Sequence, residues 1–236
     1  MKTRSFAPWS LLGVAALTLL TCWSARAEII TLRSGNGSVG GTDSLVNMLI
    51  GPADSAFAAA FTPANFASAR TGPDAFIVAR NVAWIAALAG DSTSQWIGTS
   101  AGAASAGSTA LYAIDFVLSN PFTTATLDLH YAVDNVLGTG PNQGVYLNGT
   151  AISGSSTGGT FTSEFSLSRS DIGSLLSLGT NTLFIDATDQ GGPAGLLFRA
   201  TITTNESSTG APEPATLVLL GLGLAGLGFG RRKRPG

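Results

Sequence analysis

From Leu111 onward, apolar and polar residues alternate with the two-residue period of a half-buried strand. Tyr112, Ile114, Phe116 and Leu118 fall on one face. In the next run, Leu127, Leu129, Tyr131 and Val133 face one way, while Asp128, His130, Ala132 and Asp134 face the other. Gly144–Leu147 reads as a short strand ending in Asn148-Gly149, a strong hairpin signal. Phe161, Phe165 and Leu167 continue the pattern. Leu183, Ile185 and Ala187 form a further strand, and Leu196, Phe198, Ala200 and Ile202 close the set. Between them, Ser168 or Ser170 is placed to cap one short helix that turns Ile172, Leu175 and Leu176 inward and ends at Gly179.

The first half is less regular. Glu28–Arg33 and Phe76–Ala79 predict strands, and Ser34–Thr42 is a glycine-rich loop. Leu45, Met48 and Leu49 fit a helical turn, with Pro52 and Pro63 breaking anything longer. Ala83–Leu88, with Trp84, reads as buried. Asp91–Ala106 reads as a loop around Trp96-Ile97. About eight strands with tight turns predict an all-β chain, an antiparallel β-sandwich of jelly-roll type with one or two short helices.

The two ends depart from this pattern. Met1–Ala27 has the form of a secretory signal peptide: Lys2 and Arg4, an apolar run from Leu11 to Leu20, and an Ala25-Arg26-Ala27 cleavage site. A lipoprotein reading of Leu19-Leu20-Thr21-Cys22 is the alternative, weakened by the flanks of the Cys and by the cleavage site after it. Residues 28–204 are then the exported sandwich and 205–211 a polar linker. Residues 212–236 are a tail in which Pro212-Glu213-Pro214 precedes a charge-free transmembrane segment, 215–230, and a basic stop, Arg231, Arg232, Lys233 and Arg234. As a helix that segment spans about 24 Å against about 30 Å of bilayer hydrocarbon, a marginal anchor. Gly221, Gly223 and Gly226 fit G-x-G-x-x-G, but no strand precedes them and no acidic residue follows, so they read as helix-packing positions.

Removing the ends changes the charge. The whole chain carries −2, whereas residues 28–211 keep five arginines, no lysine and 13 acidic groups, a net −8. That argues against nucleic acid as a partner, which needs basic patches. The only cysteine, Cys22, leaves with the signal peptide, and with it disulfides and thiol catalysis.

Two resemblances follow from these residues. Pro212-Glu213-Pro214, the Leu/Gly-rich span and the terminal basic cluster resemble the PEP-CTERM sorting domain. This implies a Gram-negative exported protein, held transiently in the inner membrane and cut near the motif by an exosortase. Its destination would be the cell surface or extracellular matrix, often in connection with exopolysaccharide. Val145-Tyr-Leu-Asn-Gly149, the Leu127–Asp134 strand before it, Leu178–Leu183 after it and Trp96-Ile97 ahead of the Tyr112–Leu118 strand are similar to galactose-binding-like jelly rolls over residues 75–203. That resemblance implies a β-sandwich, usually non-catalytic, that often binds carbohydrate through loops at one end and often holds a structural calcium.

The candidate chemistry is sparse. His130 stands beside Asp128 and Asp134, but no G-x-S-x-G elbow accompanies it, and one His without Cys makes a poor zinc site. Calcium needs six to eight oxygens; Asp43, Asp134, Asp186 and Asp189 are the turn-located candidates, against plain Asx-turn chemistry. Trp96, Asp134 and Asn135 are the candidate ligand-binding residues. The sequence therefore ranks three functions: a non-catalytic surface or matrix protein, then a carbohydrate-binding module of jelly-roll type, then a glycoside hydrolase using an acid pair such as Asp134 and Glu164.

Overall fold

The computed structural model describes residues 27–155, 158–205 and Gly221. The strands are β1 (Ile29–Arg33), β2 (Thr42–Ile50), β3 (Asp74–Ile77), β4 (Ile97–Gly98), β5 (Ala110–Leu118), β6 (Ala125–Asp134), β7 (Val136–Leu137), β8 (Val145–Leu147), β9 (Thr150–Ala151), β10 (Phe165–Arg169), β11 (Gly179–Thr188) and β12 (Gly195–Thr204). One α-helix, α1 (Pro63–Arg70), and one 3₁₀ turn, Gly173–Leu175, complete the described elements.

Every strand pairing is antiparallel. One layer runs β10-β6-β12, with β1 on the other side of β12; the second runs β3-β2-β5-β11-β8-β9, and short β4 joins the two into one curled sheet. The chain is thus the all-β antiparallel fold that the alternation predicts. The inward sets of β6 and β12 (Leu127, Leu129, Tyr131, Val133; Leu196, Phe198, Ala200, Ile202) meet those of β5 and β11 (Tyr112, Ile114, Phe116; Leu183, Ile185) in one core. Fully burying a side chain such as Leu129 or Phe198 contributes about 2 kcal/mol, so this period-two pattern is the main source of stability.

Three local readings are corrected. Leu45, Met48 and Leu49 belong to strand β2, because β2 pairs with β5 from Asn47 to Ile50 and this ladder outweighs a weak helical spacing. Pro63 starts a helix instead of breaking one: it occupies the first turn, where a missing N–H costs nothing. The stretch after Ser168 is a 3₁₀ turn without a side-chain cap, and Ser168 itself lies in β10; Ile172 and Leu176 still point inward. Among the described residues no helix is long and apolar enough to cross a membrane. The leader through Arg26, the sorting motif and, Gly221 apart, the 215–230 segment lie outside the described residues.

Candidate functional site

Each layer has an outer face, and a different segment covers each. Over the β2–β5–β11–β8 layer lies α1. Thr62 caps it: the Thr62 hydroxyl accepts from the Asn65 backbone N–H, and the Asn65 side chain accepts from the Thr62 N–H at 2.9 Å. Gly72 brings the helix end against β2; a Cβ there would lie 2.0 Å from the Met48 carbonyl oxygen, so only glycine fits. Phe66 projects from the helix onto Phe184 and Tyr146, with ring centroids 4.8 and 5.1 Å away, and Phe61 packs edge-on to Phe66 and Tyr146.

The β8–β9 hairpin stands opposite. Asn148 and Gly149 both take positive φ, 50° and 82°, which makes the tight turn expected of Asn-Gly. Asn148 is locked: its Oδ1 accepts from the Thr182 N–H at 2.8 Å, and its Nδ2 donates to the Leu175 carbonyl at 2.9 Å and to Asn181 Oδ1 at 2.9 Å. Between helix and hairpin lies a groove of about 450 Å³ with Phe61, Phe66 and Phe184 as its aromatic wall and Arg70, Asn148 and Thr182 as its polar side. Arg70 is held across β5 by a two-pronged bond to Asp115, Nε–Oδ1 3.0 Å and Nη2–Oδ2 2.7 Å, and Thr182 Oγ1 donates to the same carboxylate at 2.6 Å. Partial burial works to raise the Asp115 carboxyl, but the hydrogen bonds from Arg70 and Thr182 outweigh it and hold the group below its ordinary range. The result is a preorganised edge: a flat guanidinium, an amide and a hydroxyl beside exposed ring edges.

The outer face of the β6–β12 layer is covered by the long 78–106 segment. Trp84 and Trp96 stack there at 4.2 Å over Ala132 and Leu197. Trp96 is 2% exposed, and its Nε1–H donates to the Ile85 carbonyl at 3.0 Å. The sequence expectation of Trp96 as a ligand platform is therefore corrected: its ring plugs the core, because the segment that carries it lies flat on the sheet.

The acidic candidates are similarly occupied. Asp43 accepts from the Gly35, Asn36 and Leu45 N–H groups and closes the loop ahead of β2. Asp134 accepts from Trp84 Nε1–H at 2.7 Å and from the Asn135 amide at 2.8 Å, while Asn135 Oδ1 accepts from the Gln190 N–H at 2.6 Å. Asp189 accepts from the Asp54 and Gly191 N–H groups. Burial raises the Asp134 carboxyl, assisted by the charge of Asp189 and opposed by the bond from Trp84. Asp186, buried with one oxygen unpartnered, is pushed up by burial to about 8. Among the described residues no three acidic, histidine or cysteine groups converge as a metal site. Asp43, Asp134 and Asp189 aim their oxygens at N–H donors and Asp186 is held protonated by burial, so a cation would have to displace donors or a proton at each, and the four do not fit calcium.

His130 gains a partner that the sequence did not indicate. Its Nδ1 lies 2.6 Å from Glu164 Oε1 and its Nε2 lies 3.1 Å from Asp128 Oδ2; Asp134, its expected neighbour, bonds Trp84 instead. Ser168 Oγ donates to Asp128 Oδ1 at 2.6 Å, not to the imidazole, and Glu164 also accepts from the Ala89 N–H. This order differs from a nucleophile–base–orienter relay, in which the hydroxyl faces the imidazole. Of the groove residues, only Asn148-Gly149 carried a sequence signal. Phe61 precedes α1, Phe66 and Arg70 lie on it, and Asp115 and Thr182 come from β5 and β11, so only the Thr62-Pro63-x-Asn65 cap hinted at the helix that brings Phe66 and Arg70 to the groove.

Comparison with known proteins adds an address. Residues 211–234 match the profile of the PEP-CTERM protein-sorting motif, so the chain carries the signal of an exported protein processed at the membrane by an exosortase. No curated protein matches the chain. A solved structure described as CBM35 from Cellvibrio japonicus Abf62 aligns over 76% of this chain and 99% of its own at 14% identity and a TM-score of 0.30, too low a score to argue from.

Proposed function

We propose that this protein is an exported, non-catalytic β-sandwich of the cell surface or extracellular matrix, delivered by its C-terminal sorting segment and cut there by an exosortase. The sorting motif at residues 211–234 carries this reading. That the Ser168 hydroxyl bonds Asp128 and not the His130 imidazole supports the non-catalytic part of the reading. Mass spectrometry of the exported protein is expected to find it truncated near Pro212–Pro214. Secreted material that retains Arg231–Arg234 overturns the reading.

The groove favours a second reading, in which the sandwich also holds a neutral glycan. The partly exposed rings of Phe61 and Phe66 offer apolar surface to a sugar ring, and the Arg70 Nη1 group, which Asp115 does not use, offers hydrogen bonds to hydroxyls. The net −8 body excludes no neutral sugar and disfavours acidic ones. Titration of matrix polysaccharide fragments should shift NMR signals of groove residues, and Arg70→Ala should weaken binding at least tenfold. Shifts confined to the Trp84–Trp96 face would remove the groove from the account.

A further inference from the structure

The described chain leaves the sandwich at a tightly clamped point. Asn205 Oδ1 accepts from the N–H groups of Thr123 at 2.9 Å and Thr124 at 2.8 Å, and its Nδ2 donates to Thr123 Oγ1 at 2.7 Å. Its own N–H donates to the Thr124 carbonyl at 3.1 Å. One residue earlier, the Thr204 N–H donates to the Glu28 carbonyl at 2.9 Å, and the Glu28 carboxylate accepts from the Ser119 and Asn120 N–H groups. The exit is therefore a fixed point on one pole of the fold, built from the β5–β6 turn.

That pole carries a recess of about 420 Å³. Pro121, Phe122 and Thr123 of the turn form one side, and Ser174, Leu176 and Leu178, on the stretch leading into β11, form the other. Gly173 seats the two against each other, within 3.3 Å of Thr124 for a would-be Cβ. Leu178 is 55% exposed, and Ile29, opposite Thr203 at the same end, is 67% exposed. The charges near it are already used: Glu28 by the turn, and Arg169 by Asp171 through Nη2–Oδ2 at 2.6 Å. With no cation among the described residues that line it, the recess lacks the basic character that capture by an anionic lipid surface requires.

The distance to the sorting motif is bounded by covalent geometry. Pro212 lies seven residues beyond Asn205, so a fully extended chain separates them by at most about 25 Å. When Pro212–Pro214 occupies the processing enzyme, this pole must lie within that reach. We propose that the recess formed by Phe122, Thr123, Ser174 and Leu178 is a second docking face for the exosortase, which inserts an apolar side chain of its exported-side surface there. The inference rests on the sorting reading above. It makes the folded body, together with the C-terminal signal, a determinant of processing.

The test follows processing of the full chain by pulse-chase in a host that carries the enzyme. Phe122→Ser with Leu178→Ser should slow loss of the Arg231–Arg234 end about tenfold, the size of one interface anchor. A Gly/Ser insertion of about 20 residues after Asn205 should slow it roughly sevenfold by diluting the docked state. Combining insertion and substitutions should be no slower than the substitutions alone. Leu178→Ser by itself should leave the thermal midpoint unchanged, so it keeps the test open if Phe122→Ser unfolds the body. A photo-crosslinker at position 178 should capture the enzyme. Unchanged rates in the substituted and lengthened chains, or a crosslink to lipid alone, overturn docking and leave the sorting reading standing. A parent chain that is never processed takes down both.

Discussion

The two outer faces of the sandwich carry similar materials and do different things with them. Each holds a cluster of aromatic rings, and each has a charged group bonded to a distant element. Over β6 and β12, the long 78–106 segment lies flat and seals Trp84 and Trp96 away. Over β5, β11 and β8, the cover is an eight-residue helix that stops short of the Asn148-Gly149 hairpin and leaves a groove. Ring type does not mark the open face, since Trp84 and Trp96 are both on the sealed one. What matters is whether the covering segment fills the space above the sheet.

The sharpest way to break this contrast is to remove the seal. Trp84→Ala should cost about 3–5 kcal/mol by the cavity it leaves, and it strips the buried Asp134 of its indole donor. Urea denaturation should show that loss, and Trp84→Phe should show a smaller one of about 1–3 kcal/mol for the unpaired carboxyl alone.

Next comes the group buried under the open face's cover. Asp186 follows Thr182 and Phe184 on the same side of β11. Burial pushes its carboxyl up to about 8, against about 3.9 in an unfolded chain. Between those values the folded state holds a proton that the unfolded state has released. Its contribution to stability is therefore complete below about pH 4, is lost as pH rises, and levels off above about pH 8. Unfolding free energies should fall across that window by a few kcal/mol, and Asp186→Asn should flatten the slope. A slope that persists in the variant would assign it to another group.

Smaller effects probe the groove. Gly72→Ala should cost about 1–3 kcal/mol, because the new methyl meets the Met48 carbonyl and lifts α1 from the sheet; Phe66 should then become exposed to a polarity-sensitive dye. Arg70→Ala should change stability least, by under about 1 kcal/mol, since its ion pair with Asp115 is in solvent. A large stability loss there would mean that the pair fastens the helix instead of dressing the groove.

Much of the sandwich was legible along the chain. The inward residues of β5, β6, β11 and β12 could be named because a half-buried strand enforces a period of two on its own neighbours. Asn148-Gly149 was readable because the turn needs two positive φ angles that few residue pairs tolerate. Strand β2 was not, since its Leu45, Met48 and Leu49 spacing suits a helical turn and a register shift interrupts its pairing with β3. The groove was invisible: Phe66 and Tyr146 lie 80 positions apart, and Arg70 and Asp115 lie 45 apart. His130 shows the same limit, as its nearest contact, Glu164, arrives across the β6–β10 ladder.

The sorting tail and the strand set are therefore properties of the chain itself, since each rests on interactions between residues close in sequence. The fates of the outer-face side chains are not. Trp96 as plug, Asp134 as an indole's acceptor, Asp43 as loop closer and Arg70 as groove edge all follow from which remote segment covers which face. That was settled only when the curled sheet brought those segments together.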